Sequence, residues 1–293
     1  MAQLKWISAD QTKTASAGAT LSWDIPVFGT LDDIFLEFTN NGEAATAANI
    51  LLSIDKVLLN VNGEIVHSCQ LSQLYDLYKN SGNNVYQFEN MPNVISLNVG
   101  RYMFANTQLR DNFSFGKTGI NNISLQLICK STLSDVTHVK TICVRRQFDS
   151  QFAGSFVKCV NYPQSFNTTG IDDVDTLPRN SNDAMITVIT DAAGGTISEL
   201  SCVKNGQNIV DPVSINVLNS ILSARGYQPL SGQAILPICD SSARSVLPLL
   251  GVAEFRVRPN FTTAPTNGVY NMLAVTVRNI PAAMLQAAMT DVV

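Results

Sequence analysis

Charged residues are scarce in this 293-residue chain. They make up 14% of it, against ~25% in a typical globular protein. Basic residues form no run, since Arg145-Arg146 and the pair Arg256 and Arg258 stand apart in the sequence. Binding of nucleic acid usually needs a basic stripe, so we exclude direct nucleic-acid binding as the main role. A low charge instead suits a protein that hides surface in an assembly, because interface cores are depleted in charged residues.

Histidine is scarcer still, and this restricts the catalytic chemistry. The chain has two, His67 and His138. A cupin-type metal site needs a His-x-His pair, a carboxylate and a further histidine, and a Ser-His-Asp arrangement needs a positioned base. Neither histidine has a second one nearby, and no Gly-x-Ser-x-Gly turn is present. We therefore expect a protein that is not an enzyme; a hydrolase would need a carboxylate pair in a cleft.

Acidic residues cluster in two places. Asp172, Asp173 and Asp175 form one cluster, and Asp32-Asp33 is a smaller one. Calcium takes about six to eight oxygen ligands, so Asp172 and Asp173 are candidate calcium ligands. No Asp-x-Asp-x-Asp-Gly loop surrounds them, which favours a solvated loop. No other cofactor or metal is expected.

The cysteines lack the pairing of a zinc or redox motif. None of the six forms a Cys-x-x-Cys pair, so we expect free thiols packed as small apolar residues. The N-terminal residues 1–6 lack the apolar core of a signal peptide, which leads us to expect synthesis in a reducing cytosol. The longest apolar run, 246–253, is too short to span a bilayer. The cysteines are Cys69, Cys129, Cys143, Cys159, Cys202 and Cys239.

A repeated block indicates duplication of a β domain. The segments 54–63 and 197–206 are each a strand-like run that ends in Asn-Gly, the strongest short hairpin signal. Each is followed by one helical stretch, ending at Gly82 or Gly226. The turns match at an offset of 143 residues and the helices at 144, as a one-residue loop insertion would produce. We predict an all-β protein of two tandem eight-stranded jelly-rolls, 1–150 and 151–293, each with a short helix after its Asn-Gly hairpin.

Periodicity predicts the elements of each half. Alternating apolar residues predict strands, while spacing of three and four residues predicts a helix at 71–78. Asp211 and Pro212 resemble an N-cap and a first helical residue, so the second helix is predicted to begin there. Residues 1–20, which are small and polar, are predicted to be an arm. The predicted strands are 21–28, 34–38, 50–61, 64–67, 94–99, 101–106, 123–129, 138–145, 156–162, 185–190, 197–204, 234–239, 253–258 and 269–278.

A terminal helix is predicted at 281–289. A helix at a chain end has few neighbours of its own, so its apolar residues are candidates for docking on another subunit or lying on a membrane surface. It lacks the basic face of a membrane-surface helix, which favours protein docking. The docking candidates are Met284, Leu285, Ala288 and Met289.

The order of these features resembles a known family. About two thirds of the chain is similar to the double jelly-roll major capsid proteins of tailless icosahedral phages with an internal membrane, and most of all to the corticovirus-like members. The similarity depends on the order of several weak matches. They are 17–30, 57–66 and 71–78 in the first half, and 168–179, 186–188, 203–211 and 234–240 in the second.

The resemblance implies a structural role. Members of the family form homotrimers, and two jelly-rolls per chain make each trimer a pseudo-hexagonal tile of an icosahedral shell around a membrane. The resemblance therefore implies self-association, further contacts with penton and minor capsid proteins, contact with the internal viral membrane, and a location in the virion capsid. A tandem β-sandwich of the carbohydrate-binding or adhesin type remains the alternative, and it would require clustered exposed aromatic residues.

Overall fold

The computed structural model describes residues 5–80, 93–100, 113–116, 119–146, 154–224, 226–238 and 246–279. The chain divides into two compact units. Unit 1 comprises 1–78 and 83–157, and unit 2 comprises 79–82 and 158–293. The boundary predicted near residue 150 falls in 147–153, outside the described residues, so the limits 1–150 and 151–293 remain a prediction.

Unit 1 is built from antiparallel strands with alternating burial. In the strand Ile123–Cys129, the residues Ile123, Leu125, Leu127 and Cys129 are buried, while the residues between them are more exposed. This period of two gives each sheet one apolar face, which suits a sandwich. The elements are β1 Lys5–Thr14, β2 Thr20–Asp24, β3 Thr30–Asn40, β4 Glu43–Ala44, α1 Ala47–Ser53, β5 Ile54–Val61, β6 Glu64–Gln70, α2 Leu71–Asn80, β7 Val94–Ser96, β8 Phe115–Gly116, β9 Ile123–Cys129 and β10 His138–Arg146.

Unit 2 repeats eight strands of unit 1 and the helix that follows the Asn-Gly hairpin, but between its third and fourth strands it has no counterpart of β4 and α1 among the described residues. Its third strand is buried on both faces from Asp183 to Thr190, and its last strand is buried over most of its length. The elements are β11 Phe156–Ser165, β12 Gly170–Ile171, β13 Asp183–Asp191, β14 Thr196–Lys204, β15 Gln207–Ser214, α3 Ile215–Ala224, β16 Gln233–Pro237, β17 Leu247–Pro248, β18 Phe255–Thr263, a 3-10 turn Thr266–Gly268 and β19 Val269–Arg278.

Strand order makes each unit a jelly-roll. In unit 1 the order is β1-β10-β3-β7 in one sheet and β2-β9-β5-β6 in the other. Unit 2 repeats both orders with β11-β19-β13-β16 and β12-β18-β14-β15. Without the short strands β4, β8 and β17, each unit has eight described strands. Numbered in chain order within either unit, these strands form one sheet in the order first-eighth-third-sixth and the other in the order second-seventh-fourth-fifth. The predicted fold class, two tandem jelly-rolls each with a helix after its Asn-Gly hairpin, is confirmed.

The two Asn-Gly turns have the backbone that a two-residue hairpin requires. Asn62 and Gly63 have φ of 53° and 80°, and Asn205 and Gly206 have φ of 48° and 78°. Positive φ at both central residues is characteristic of a type I′ turn, which suits the twist of the flanking strands. Each turn then leads through one strand directly into a helix, α2 or α3.

The predicted N-terminal arm is wrong. Lys5–Thr14 is strand β1, which pairs with β10 from Lys5↔Arg146 to Thr14↔His138. The irregularity between Ala9 and Thr12 interrupts its register. Backbone pairing at a sheet edge needs no apolar run, and this is why a polar segment gave no strand signal.

One strand prediction and one helix prediction also need correction. The predicted strand 50–61 is correct from residue 54, where β5 begins, but residues 50–53 belong to the helix α1. Thr46 caps α1 by accepting a hydrogen bond from the Asn49 N–H at 3.2 Å. Asp211 and Pro212 do not begin α3 but lie in β15, where Val210 pairs with Cys202 and Val213 with Leu200. The two residues between these pairs face one residue of β14, a bulge that tolerates proline.

The remaining predictions agree in position, differ in their bounds, or fall on undescribed segments. The predicted strands 21–28 and 94–99 are too long, since β2 ends at Asp24 and β7 at Ser96. β19 has the predicted bounds, and Gly226 ends α3 with φ of 86° and a hydrogen bond from its N–H to the Ser223 carbonyl at 3.0 Å. Gly82, Cys239, the strand 101–106 and the helix 281–289 lie outside the described residues.

Candidate functional site

The asparagine of the first Asn-Gly turn holds a second loop in place. The Asn62 Nδ2 donates to the Gly119 carbonyl at 2.7 Å, and its Oδ1 accepts from the backbone N–H groups of Asn121 and Asn122 at 2.7 and 3.4 Å. The Asn62 N–H donates to the Asn122 carbonyl at 3.0 Å. One side chain therefore fixes the loop that leads into β9.

The second turn repeats this arrangement. The Asn205 Nδ2 donates to the Gly251 carbonyl at 3.4 Å, and its Oδ1 accepts from the N–H groups of Ala253 and Glu254 at 2.9 and 3.1 Å. The Asn205 N–H donates to the Glu254 carbonyl at 2.9 Å. We call these two sets of contacts, centred on Asn62 and Asn205, the asparagine clamps.

The Asn-Gly pattern predicts the two turns but not the side-chain contacts of Asn62 and Asn205. Gly119 and Gly251 each stand four residues before the next strand, β9 or β18, and both have positive φ. That shared spacing could have revealed the clamps once the two strands had been aligned.

Unit 1 also contains a buried charge network at the start of β3. Asp32 is 2% exposed, and its Oδ1 lies 2.9 Å from the Arg146 Nε. The Ser114 hydroxyl donates to the same Oδ1 at 2.9 Å and accepts from Arg146 at 3.0 Å. The neighbouring Asp33 accepts from the Ser96 hydroxyl at 2.6 Å. The Asp32-Asp33 cluster is therefore part of the core, paired with the arginine at the end of β10.

Arg145, the residue before Arg146 in the same strand, is also buried. Arg145 has no exposed surface. Its guanidinium donates to the Pro26 carbonyl at 2.8 Å and lies 4.3 Å from the centroid of the Phe28 ring. Both arginines thus serve the interior of unit 1, which is consistent with the exclusion of a nucleic-acid surface at this point.

Unit 2 has an equivalent pair, which the sequence did not reveal. Asp183 begins β13 as Asp32 lies near the start of β3, and it is 1% exposed. Its carboxylate lies 3.1 Å from Arg278 and 3.5 Å from Lys158, and it accepts from the Asn180 amide at 3.2 Å. Since Arg278 ends β19 as Arg146 ends β10, the carboxylate–arginine pair is duplicated with the fold.

The calcium candidates have protein partners. Asp173 receives hydrogen bonds from Arg256 at 2.8 Å and from Arg258 at 2.9 Å. The bond from Arg258, with that from Arg256, holds the pKa of the Asp173 carboxyl below its usual range. Asp172 accepts from the Tyr270 hydroxyl at 2.7 Å, and burial, followed by that contact, raises the pKa of Tyr270. The calcium assignment stays a prediction.

His67 is an inward-facing residue of β6. It has no exposed surface, and its Nε2–H donates to the Leu97 carbonyl at 2.6 Å. Burial lowers the pKa of His67 to about 4, so the ring is neutral at physiological pH. His138 lies in the other sheet, in β10, where its Nδ1 is 2.9 Å from the Thr137 hydroxyl. The structure does not bring the two histidines into one sheet.

The described cysteines are free thiols in the interior. Burial raises the pKa of Cys69 and of Cys202 to about 12, so neither thiol is a reactive nucleophile at neutral pH. Within the described ranges, no three His, Cys, Asp or Glu residues are grouped as metal ligands. The five described cysteines are Cys69, Cys129, Cys143, Cys159 and Cys202.

The outer side of α3 is apolar and exposed. Leu218 and Leu222 are buried, whereas Val217 and Ile221 are 52% and 42% exposed. Ile209 on the adjacent strand β15 is 41% exposed, and β15 contains no fully buried residue. We call Ile209, Val217 and Ile221 the α3 surface. Because β15 is also an edge strand, this part of unit 2 presents apolar groups and backbone groups together.

The predicted docking residues Met284, Leu285, Ala288 and Met289 lie outside the described residues. Of the helices within the described ranges, none has the length and apolar character to cross a bilayer. Among the described helices, α3 exposes two large apolar residues one turn apart, Val217 and Ile221.

Comparison with solved structures shows the fold over nearly the whole chain. The major capsid protein of bacteriophage PM2 matches with a TM-score of 0.77 and 14% identity, over 95% of this chain and 99% of that one. The STIV major capsid protein matches with a TM-score of 0.67 and 15% identity, over 97% and 99%. The PBCV-1 virus capsid matches with a TM-score of 0.66 and 12% identity, over 97% and 96%.

These matches define the class of fold to which the protein belongs. It is a double jelly-roll that is similar, over nearly its whole length, to solved viral major capsid proteins. No family model and no curated protein sequence matches the chain.

Proposed function

We propose that this protein is a viral major capsid protein, which self-assembles as pseudo-hexagonal trimers into an icosahedral shell around an internal membrane. The observation that carries the proposal is the match to major capsid proteins over 95–97% of this chain and 96–99% of theirs. Both units and their order are included, so the likeness extends to the tandem arrangement as well as to a single jelly-roll. The protein would then reside in the virion capsid after synthesis in the host cytoplasm.

Self-association is the first interaction that this function requires. A chain with two similar jelly-rolls supplies six of them in a trimer, and six similar units can close a ring. The contacts around such a ring are heterologous, so one face of the chain must complement a different face of its neighbour. Penton and minor capsid proteins and the membrane are the further partners of the assembled shell, and no direct contact with nucleic acid is proposed.

The α3 surface is the contact that we assign to a second copy of the chain. With the helix offset of 144 residues, Val217 and Ile221 correspond to Gln73 and Leu77 of α2. Those two residues are only 7% and 3% exposed. Equivalent helical faces are therefore covered in unit 1 and uncovered in unit 2 of the same chain. Covering the α3 surface in a closed ring of copies would remove this difference.

The other classes of function have less support. A carbohydrate-binding protein needs exposed aromatic platforms, but Trp23 is 5% exposed and donates its indole N–H to the Gln11 carbonyl at 2.8 Å. For an enzyme, the acidic residues that the sequence offered are engaged by arginine or tyrosine, as described for Asp32, Asp172 and Asp173. We therefore propose a structural protein with no catalytic role.

Light scattering of the purified protein tests the proposal. We expect a stable particle with three times the 31.7 kDa chain mass, and electron microscopy of concentrated protein should show pseudo-hexagonal tiles. A strict monomer at micromolar concentration would contradict the capsid function.

A variant tests the assigned contact. Val217→Asp places a charge in the α3 surface and should dissociate the trimer, while circular dichroism remains that of the parent. Leu52→Asp is the matched control, because Leu52 is a 58% exposed apolar residue of α1 in unit 1. A Val217→Asp protein that remains trimeric would exclude the α3 surface as the contact.

A further inference from the structure

The chain contains four Asn-Gly pairs, and all of them form exposed turns. The asparagines have left-handed φ values of 49° at Asn41, 53° at Asn62, 48° at Asn205 and 60° at Asn267, and all four are exposed. Asn-Gly is chemically the most labile asparagine sequence, because glycine leaves its own nitrogen unhindered. The four sites share the Asn-Gly sequence and a left-handed asparagine. They differ in the hydrogen bonds that hold the asparagine side chain and the glycine N–H.

Two of these side chains are immobilised by the asparagine clamps. The Asn62 and Asn205 amides each make three side-chain hydrogen bonds to main-chain groups. Neither carboxamide carbon can turn toward the following nitrogen until those bonds are lost.

The third site, Asn267, has a different restraint. Among the described residues its side chain makes no hydrogen bond, but the N–H of Gly268 donates to the Pro265 carbonyl at 3.0 Å. That nitrogen would be the attacking atom in a reaction of Asn267. The bond must be released first, which slows the reaction at this site.

Asn41 has neither restraint. Its backbone N–H donates to the Thr137 hydroxyl at 2.7 Å, yet within the described ranges neither its side chain nor the Gly42 N–H is hydrogen-bonded. The turn joins β3 to the two-residue strand β4, paired only through Thr39↔Ala44 and Asn40↔Glu43. A short pairing of this kind opens more readily than the long hairpin of β14 and β15.

We propose that Asn41-Gly42 is a site of spontaneous covalent modification, and that the asparagine clamps protect the other two hairpin turns from it. The Gly42 nitrogen attacks Cγ of Asn41, so that a C–N bond forms, the bond from Cγ to Nδ2 breaks, and ammonia leaves. Water then opens the resulting succinimide at either carbonyl, giving aspartate or isoaspartate. Each event adds one negative charge to a chain whose formal net charge is −4.

Peptide mapping by mass spectrometry tests this proposal on the intact protein. The four Asn-Gly pairs fall in four different tryptic peptides, so their rates can be followed separately during incubation in mildly alkaline buffer. We expect Asn41 to react at least about tenfold faster than Asn62 and Asn205, since each clamp hydrogen bond is worth a several-fold factor in an equilibrium. Asn267 should lie between them.

Two further measurements make the outcome decisive. In urea the four rates should converge, because only the folded structure distinguishes the sites. Asn41→Gln should remove the acidic species that appears first on isoelectric focusing, whereas Asn62→Gln should leave it. Equal native rates, or faster reaction at a clamped asparagine, would overturn the proposal.

Discussion

Acidification should destabilise unit 1 through a single residue, His67. Its ring is fully buried in β6 and donates one N–H to the Leu97 carbonyl, an environment in which burial disfavours the charged form. The pKa of His67 in the folded protein is about 4, whereas the unfolded chain has an ordinary histidine pKa. As pH falls through ~6.5, His67 binds a proton in the unfolded chain but stays neutral in the folded protein, so the free energy of unfolding falls.

The size of this effect follows from the two pKa values. With a pKa of about 4 when folded and ~6.5 when unfolded, the loss is about 2 kcal/mol at about pH 5, relative to about pH 8. It approaches ~3 kcal/mol below pH 4, where both states bind the proton. Stability is therefore retained above the unfolded pKa and lost between ~6.5 and ~4.

Urea unfolding followed by tryptophan fluorescence measures the free energy of unfolding of unit 1, which contains His67. Trp6 and Trp23, the two tryptophans, both belong to unit 1. We expect His67→Gln, which keeps a donor for Leu97, to lose about 2 kcal/mol less than the parent between pH 8 and pH 5. His138→Gln is the control and should keep the parental loss. If His67→Gln shows the same pH dependence as the parent, the argument from burial is refuted.

Three other predictions follow from contacts in unit 2. Asn205→Gly keeps the positive φ of the turn but deletes its clamp, and should cost about 2 kcal/mol in urea unfolding, with Asn205→Ala costing more. Asp183→Asn leaves Arg278 and Lys158 without their anion and should cost about 3 kcal/mol; equal stability to the parent would show that the two cations are solvated. The Cys202 thiol should resist iodoacetamide at neutral pH until the protein is unfolded, and labelling of native protein would contradict its burial.

Periodicity located the strands well wherever one face is buried. β9, β10 and β19 alternate or are continuously apolar, and their positions follow directly from the sequence. Duplication was also evident, because a type I′ turn demands a nearly invariant pair of residues. These features depend on local chemistry, which a single sequence displays.

Prediction was wrong where pairing or caps decide the structure. β1 is polar and gains its conformation from hydrogen bonds to β10, so its own residues gave no signal. Asp211-Pro212 has the composition of a helix start, but the bulge in β15 uses both residues and the helix begins after Ser214, whose hydroxyl lies 3.4 Å from the Val217 N–H. Serine is also a favoured N-cap, and two competing caps three residues apart cannot be ranked without the sheet register.

The contacts within the candidate site were the least predictable part. Asp32 and Arg146 are 114 positions apart, and Asp183 and Arg278 are 95 apart, so no local pattern joins them. The jelly-roll order places the first residues of its third strand beside the last residues of its eighth. Predicting that these aspartates and arginines form two equivalent pairs would have required the correct strand order in both halves.

The asparagine clamps have a consequence for natural variation of this chain. Every partner of the Asn62 and Asn205 side chains is a main-chain atom, so the loops they hold contribute no side chain to the contact. Apart from Gly119 and Gly251 and the buried Ile120 and Val252 that follow them, those loops can exchange residues, while an insertion or deletion would shift the amides out of reach. Among relatives of this protein, we expect these loops to vary at their exposed positions and to be fixed in length.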